Sequence, residues 1–243
     1  QIVSLKEGEV KADLLTTTDL TPAQVVWVGV TSDGILGRTQ GDELPRVSGR
    51  QAPKLLLRTN THHTLYGAAS NGRSGAVAVH TLPEVENFAD GVPVGKVFPL
   101  REEDQLISIF STPPAAEVKK TYYVLTVTKS GLLKKTETTE LPGPSSQAFQ
   151  LVKINPDDQL CKVLLTNGEA ELILLSAQGM VIRFSEQDIR AMGLAAAGVN
   201  GMKLAQEDEL VAAEGVTHNE ILVAASNGWG WRLPLDAIPL QGR

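Results

Sequence analysis

The residues with the most chemistry in this 243-residue sequence are cations rather than nucleophiles. Arg46, Arg50, Lys54, Arg58 and Arg73 fall within residues 46–83, a block that holds no Asp or Glu and so carries +5. Every other block is negative: −4 for 1–45, −2 for 84–142, −2 for 143–190 and −3 for 191–243, which gives a net charge of −6. Clustered guanidinium and ammonium groups without carboxylates suit phosphate, whose neutralisation releases counterions. A chain this acidic overall is a poor generic nucleic-acid binder, so contact would fall on a patch. Four further cations stand at one offset, four residues after a turn glycine: Arg38, Lys135, Arg183 and Arg232. In the remaining copy that position is Ala76, with Arg73 nearer the turn. Two readings stay open for these four. They form a ring of phosphate ligands at one height, or they are solvent-facing strand residues.

Other constellations carry little. His62-His63 resembles half a metal site, but neighbouring strand side chains point to opposite faces, and neither Cys nor carboxylate lies nearby to complete a zinc set. Cys161 is the only cysteine; its strand-like surroundings suit a small buried hydrophobe, and a single cysteine excludes an intrachain disulfide. Trp229 and Trp231 flank Gly230 and share one strand face, which points to packing rather than base stacking. There is no phosphate-cradling Gly-x-x-x-x-Gly-Lys-Ser/Thr and no Gly-x-Ser-x-Gly nucleophile turn. The sequence therefore offers no catalytic residue, no metal site and no cofactor site.

These cations are positioned by a hairpin that the chain spells five times. Turn glycines fall at Gly34, Gly72, Gly131, Gly179 and Gly228. Ten positions after each stands an aliphatic residue (Leu44, Leu82, Leu141, Ile189, Ile238), followed by proline in all copies but the fourth. A fixed offset in five copies is a repeat and decides the architecture. Asp33-Gly34, Asn71-Gly72 and Asn227-Gly228 accept positive φ at little cost, as type I′ hairpins require, and each copy reads as a two-residue or slightly longer β-turn between two strands. The flanks are rich in Val, Leu, Thr and Tyr, as in 122–128, and the Leu-Pro pair is expected to stop the second strand.

A second phrase recurs between hairpins. Phe98-Pro99-Leu100-Arg101-Glu102-Glu103-Asp104 resembles Ile154-Asn155-Pro156-Asp157-Asp158, Leu204-Ala205-Gln206-Glu207-Asp208 and Val3-Ser4-Leu5-Lys6-Glu7-Gly8-Glu9. The acids read as turn chemistry. Each unit is then strand, acidic turn, strand, linker, strand, glycine turn, strand. The fold class is all-β: a five-bladed, propeller-like disc of four-stranded antiparallel blades, with blades at about 1–45, 46–83, 84–142, 143–190 and 191–243 in one domain. Residues 46–63 lack the acidic turn, so the second blade is expected to be abbreviated or irregular. Residues 185–192 suit one helical turn capped by Ser185. No apolar run approaches the ~20 residues of a membrane span, and no signal peptide opens the chain.

Several phrases resemble the C-terminal domain of the A subunit of DNA gyrase, a family that includes the topoisomerase IV homologue. They are Asp19-Leu20-Thr21-Pro22 with Val25-Val26-Trp27-Val28, Thr31 to Arg38, Asn60 to Leu65, Gln178 to Phe184, Ile189 to Gly193, Gly198 to Leu204, and Asn227 to Gly230. The resemblance covers almost the whole chain and implies a β-pinwheel whose blades exchange strands. It implies a non-catalytic domain that binds and bends duplex DNA, of low sequence specificity, for an ATP-driven strand-passing core. The implied partners are double-stranded DNA, the ATPase subunit, and the DNA-cleavage domain of the same polypeptide, in a bacterial, cytoplasmic, nucleoid-associated setting. The start of the chain mid-repeat and the absence of a cleavage domain suit a fragment of a larger polypeptide. The family's Gln-Arg-Arg-Gly-Gly-Lys/Arg-Gly box is degenerate here, reading Pro45 to Lys54 with three cations and one glycine. Later rim loops read Glu86 to Gly91 and Leu194 to Asn200, without arginines. Weak wrapping is the expectation. The competing reading is a gyrase-like propeller that serves as a protein-interaction module.

Overall fold

The computed structural model of the protein describes residues 20–44 and 52–242. Every turn glycine of the repeat has positive φ, from 74° at Gly34 to 87° at Gly228. The loops take the longer of the two expected forms rather than type I′. Asp33, Asn71 and Asn227 keep negative φ, and each glycine N–H closes on the residue three back, as from Gly34 to the Thr31 carbonyl at 3.0 Å. This is a three-residue loop, a type I turn followed by a left-handed glycine. Asn71 and Asn227 then use their side-chain oxygens to accept from the amides of Arg73 and Trp229. The second strand also stops earlier than the Leu-Pro pair suggests. Single 3-10 turns at Val79–Thr81, Thr138–Glu140, Glu186–Asp188 and Leu235–Ala237 end it first. At Glu186–Asp188 the Ser185 oxygen accepts from Gln187 N, the cap expected there.

In chain order the strands are β1 (Val25–Thr31), β2 (Ile35–Arg38), β3 (Pro53–Asn60), β4 (Thr64–Ala69), β5 (Arg73–Ala78), β6 (Val92–Pro93), β7 (Leu106–Thr112), β8 (Tyr123–Thr128) and β9 (Leu132–Glu137). They continue as β10 (Phe149–Gln150), β11 (Leu160–Thr166), β12 (Glu171–Ser176), β13 (Val181–Ser185), β14 (Val199–Asn200), β15 (Leu210–Gly215), β16 (Glu220–Ala224) and β17 (Gly230–Pro234). One short helix, Val94–Val97, follows β6. It is too short to cross a membrane, as is every helix among the described residues.

The sheets are β3-β1-β2-β6, β10-β5-β4-β7, β11-β8-β9-β14 and β13-β12-β15, with β16-β17 as a separate ribbon. The pairing follows one rule. The first strand of each hairpin pairs with a long strand just before the next hairpin (β1 with β3, β4 with β7, β8 with β11, β12 with β15). The second strand pairs with a two-residue strand beyond the next hairpin (β2 with β6, β5 with β10, β9 with β14). The all-β, propeller-like arrangement is as expected from the sequence. The count is not: four blades form rather than five, because no described residue supplies an outer strand to β16-β17, which stays a two-stranded ribbon. The second sheet, expected to be abbreviated or irregular, has all four strands, because its outer strands come from beyond residue 83.

The core lies between successive sheets. Val26, Val28 and Leu36 meet Leu65, Val79 and Phe98; Tyr66 and Phe110 meet Val124, Leu151 and Val163; Leu125 and Leu133 meet Leu172, Phe184 and Met202. Tyr66 stacks on Phe110 with centroids 4.9 Å apart, and its hydroxyl donates to the Pro142 carbonyl at 3.0 Å. Burial pushes that phenol's pKa up. Two aromatic rings need glycine opposite them, since a Cβ on Gly29 would sit 2.5 Å from Phe88 and one on Gly67 would sit 2.6 Å from Phe98. Gly67→Ala is expected to destabilise the fold by about 1–3 kcal/mol through overpacking, read as a lower midpoint in urea at unchanged slope.

Candidate nucleic-acid interface

The nine cations singled out by sequence part into groups. Arg46 and Arg50 lie outside the described residues. Lys54 and Arg58 sit on β3, an edge strand of the first sheet. Positions 54, 56 and 58 all face solvent, so both cations share one exposed strand face. Lys54 forms no salt bridge among the described residues. Arg58 makes a two-pronged pair with Asp42, Nε to Oδ1 at 2.7 Å and Nη2 to Oδ2 at 2.5 Å. The Asp42 main-chain carbonyl also accepts from Trp27 Nε1. The Arg58 hydrogen bond holds the Asp42 carboxyl below its usual pKa and raises that of the guanidinium. Both partners are about half exposed, at 55% and 48%, and pairs of this kind contribute little and exchange readily. Arg73 belongs to a different sheet. It stands beside the second turn, 3.4 Å from the Asp104 carboxylate.

The four cations in register point mainly inward, and each is paired. Arg38 is 7% exposed; its Nη2 is 2.7 Å from Glu84 Oε1 and its Nη1 donates to the Thr39 carbonyl. Lys135, 6% exposed, donates to the Glu186 main-chain carbonyl at 3.2 Å. It lies 3.6 Å from the Glu186 carboxylate and 4.7 Å over the Tyr123 ring. Arg183 pairs with Glu171 and donates to the carbonyls of Leu235 and Ile238, both at 3.1 Å. Arg232 is exposed and pairs with Glu220. Backbone bridges accompany three of them: Arg38 with Glu84, Lys135 with Ala191 and Arg183 with Leu240. The shared offset thus marks a joint. A cation on the second strand of one hairpin grips the segment that follows the next hairpin.

Lys134, which no sequence pattern singled out, has the same structural character. It is fully buried, and its ammonium donates to the carbonyls of Leu151, Gly193 and Leu194 at 2.6, 3.2 and 3.0 Å. Burial lowers its pKa to about 8. The cations left free among the described residues are Lys54, Lys96, Lys119, Lys120, Lys153, Arg190 and Lys203, all exposed and outside any salt bridge. Lys153 and Lys203 occupy one position in the acidic-turn phrase, between Val152 and Ile154 and between Met202 and Leu204. Those neighbours pack over the turns at Gly72 and Gly131, so each lysine projects beside a hairpin turn. Aligning the acidic-turn phrases at the position before the aliphatic residue would have found them.

The acids of that phrase are turn caps. Asp104 accepts from Asn71 Nδ2 at 2.5 Å, Asp158 from the amide and hydroxyl of Ser130 at 3.0 and 2.6 Å, and Asp208 from the Gln178 amide at 3.1 Å. His62 and His63 lie in the turn between β3 and β4, not on a strand. His62 Nε2 donates to the Thr21 carbonyl at 2.6 Å, and His63 Nδ1 contacts the Thr59 hydroxyl at 3.3 Å. Among the described residues no three His, Cys, Asp or Glu side chains gather to hold a metal. Cys161 is half-buried on β11, with a thiol pKa raised by burial. Trp229 and Trp231 are exposed, at 67% and 49%, contrary to the packing expected of them.

A family model described as "DNA gyrase C-terminal domain, beta-propeller" matches residues 122–167 and 170–216. The chain is similar to the gyrase A protein of Klebsiella oxytoca, 36% identical over 206 residues and 84% of this chain. It is similar to that of Salmonella typhimurium at 36% over 209 residues. It spans about a quarter (23%) of the length of both relatives. Among solved structures, the C-terminal domain of DNA topoisomerase IV aligns with a TM-score of 0.77 at 26% identity, over 91% of this chain and 71% of that one. A DNA gyrase A C-terminal domain aligns at 0.70 and 21%, a likeness of fold, over 90% of this chain and 75% of that one.

Two outcomes check the joint. Lys135→Met leaves the buried Glu186 carboxylate without its cation and is expected to cost about 3–5 kcal/mol of stability, while Lys54→Ala changes stability by less than about 0.5 kcal/mol in the same denaturant titration. Lys134 supplies a pH signature. Its folded pKa lies below the unfolded value of 10.5, so between about pH 8 and 10.5 the unfolded chain binds more protons and stability rises with pH. Denaturation from pH 7 to 10 is expected to show wild type gaining on Lys134→Met across that window.

Proposed function

The chain belongs to the family of DNA gyrase A and topoisomerase IV C-terminal domains, and we propose that it is a non-catalytic duplex-DNA-binding module within the A subunit of a type IIA topoisomerase. In this reading it bends a DNA segment and presents it to the strand-passing core. The cleavage domain of the same polypeptide and the ATPase subunit are its working partners, in the bacterial nucleoid. One observation carries the reading: Lys54 and Arg58 share an exposed strand face within the one block of sequence that is free of carboxylates. Lys54 is outside any salt bridge among the described residues, and Arg58 is held only by a solvent-exposed acid. Arg73, Lys153 and Lys203, beside the hairpin turns, extend the phosphate contacts, as do Arg46 and Arg50. Such contacts fix register on the duplex without reading bases, so preference follows DNA deformability.

Binding by this chain alone is weak and salt-sensitive. Arg38, Lys135 and Arg183 are engaged with Glu84, Glu186 and Glu171, and the body is anionic. A second reading, a protein-interaction module, draws on the exposed apolar ribbon of Leu222, Trp229 and Trp231. Anisotropy titrations with a ~40-base-pair duplex at several salt concentrations separate the two. Replacing Lys54, Arg58 and Arg73 together by Ala is expected to weaken binding and to flatten the log K against log salt slope by about 3, at about 0.9 per lost contact. Unchanged affinity and slope would favour the protein-interaction reading.

A further inference from the structure

Arg58 differs from the cations that join the sheets. Arg38, Lys135 and Arg183 are largely buried, and each grips a segment beyond the next hairpin. Arg58 instead lies on an edge strand, and both it and its partner Asp42 are about half exposed. The pair is two-pronged: Nε and Nη2 of the guanidinium both donate to one carboxylate, at 2.7 and 2.5 Å. A guanidinium turns the same pair of donors toward a phosphate. A carboxylate thus sits where two oxygens of a DNA phosphate would bind.

The pair is not needed to hold its loop. Asp42 follows β2, and residues 39–42 are fastened to β1 by bonds that leave the carboxylate out. The Thr39 amide donates to the Trp27 carbonyl, and the Trp27 amide donates to the Thr39 hydroxyl, both at 2.8 Å. That hydroxyl donates in turn to the Gly41 carbonyl at 2.5 Å, and Trp27 Nε1 donates to the Asp42 carbonyl at 3.0 Å. Trp27 and Arg58 stand directly opposite each other on β1 and β3, so indole and guanidinium share one sheet face. The loop therefore presents the carboxylate to Arg58 already ordered, and pairing costs Asp42 little further freedom. A pair between exposed groups is still weak enough for the phosphates of a duplex to displace. Displacement leaves the Asp42 charge uncompensated beside the incoming phosphate. Asp42 thus opposes the contact twice, by occupying the donors and by repelling the ligand.

We propose that Asp42 is a built-in competitor for DNA phosphate at Arg58, and so sets the affinity of the β3 face for duplex below what its cations would give. The inference rests on the reading that this face meets DNA. Anisotropy titrations of a labelled duplex with the full chain at low salt test it. They follow a double-mutant cycle of Asp42→Asn and Arg58→Ala, with Glu43→Gln as the control for charge alone. Asp42→Asn removes the anion and keeps the main-chain bond to Trp27. The expected result is binding about two- to fivefold tighter than wild type, a log K against log salt slope steeper by up to about 0.9, and no gain in the Arg58→Ala background. Glu43→Gln removes the same charge one residue further on and is expected to gain less. No gain from Asp42→Asn, a gain that Glu43→Gln equals, or a gain that survives Arg58→Ala would overturn the proposal. Weaker binding by Asp42→Asn would overturn it too, since Asp42 would then orient Arg58 rather than compete for it. In each of these cases the DNA-binding reading stands as long as the chain with Lys54, Arg58 and Arg73 replaced by Ala binds more weakly than wild type. If that triple variant binds as wild type does, the reading fails and takes the proposal with it.

Discussion

No hairpin in this protein satisfies its own backbone. Two short strands joined by a three-residue turn leave N–H and C=O groups on both outer edges, and the polar groups of a buried edge must find partners. In the first three hairpins they find them further along the chain, in a long strand before the next hairpin and a two-residue strand beyond it. A four-stranded sheet is therefore never one contiguous stretch, and the linkers after the second, third and fourth hairpins are each shared between two sheets. Cohesion between sheets follows from the same exchange. Leu151 and Val152, just after β10, pack in the cluster between the second and third sheets, and Met202, just after β14, packs between the third and fourth.

Exchange also accounts for much of the charge. Segments brought alongside a neighbouring hairpin expose 3-10 turns whose carbonyls point into the joint. Lys135 meets Glu186, and Arg183 meets Leu235 and Ile238, at these turns. Lys134 meets three carbonyls with no carboxylate in hydrogen-bond contact, so burial dominates and its pKa falls. Cations that would give a free rim its positive potential are largely neutralised within the fold. What remains for an anionic partner is a smaller set on β3 and beside the turns.

The turns mark the boundary between local and distant control. Glycine at positive φ is a local steric demand, and all five positions obey it. Turn type is not local in the same way, because Asn-Gly and Asp-Gly serve equally in a two-residue loop and at the end of a three-residue one. The outcome depends on where the neighbouring strands fix the register. The caps by Asp104, Asp158 and Asp208 were legible as turn acids, but the hairpin each one caps lies 28 to 33 residues away in sequence.

Local pattern alone settled the element type, the five-fold repeat of the hairpin and the family, because each of these rests on periodicity, turn chemistry or recurring phrases. Packing settled the rest: Arg38, Lys135 and Arg183 grip neighbouring segments rather than face solvent, Trp229 and Trp231 lie exposed, and four blades form beside a two-stranded ribbon. One physical reason is common to all three. Whether a side chain or a strand edge is covered depends on which distant segment packs against it, and strand exchange places that segment tens of residues away.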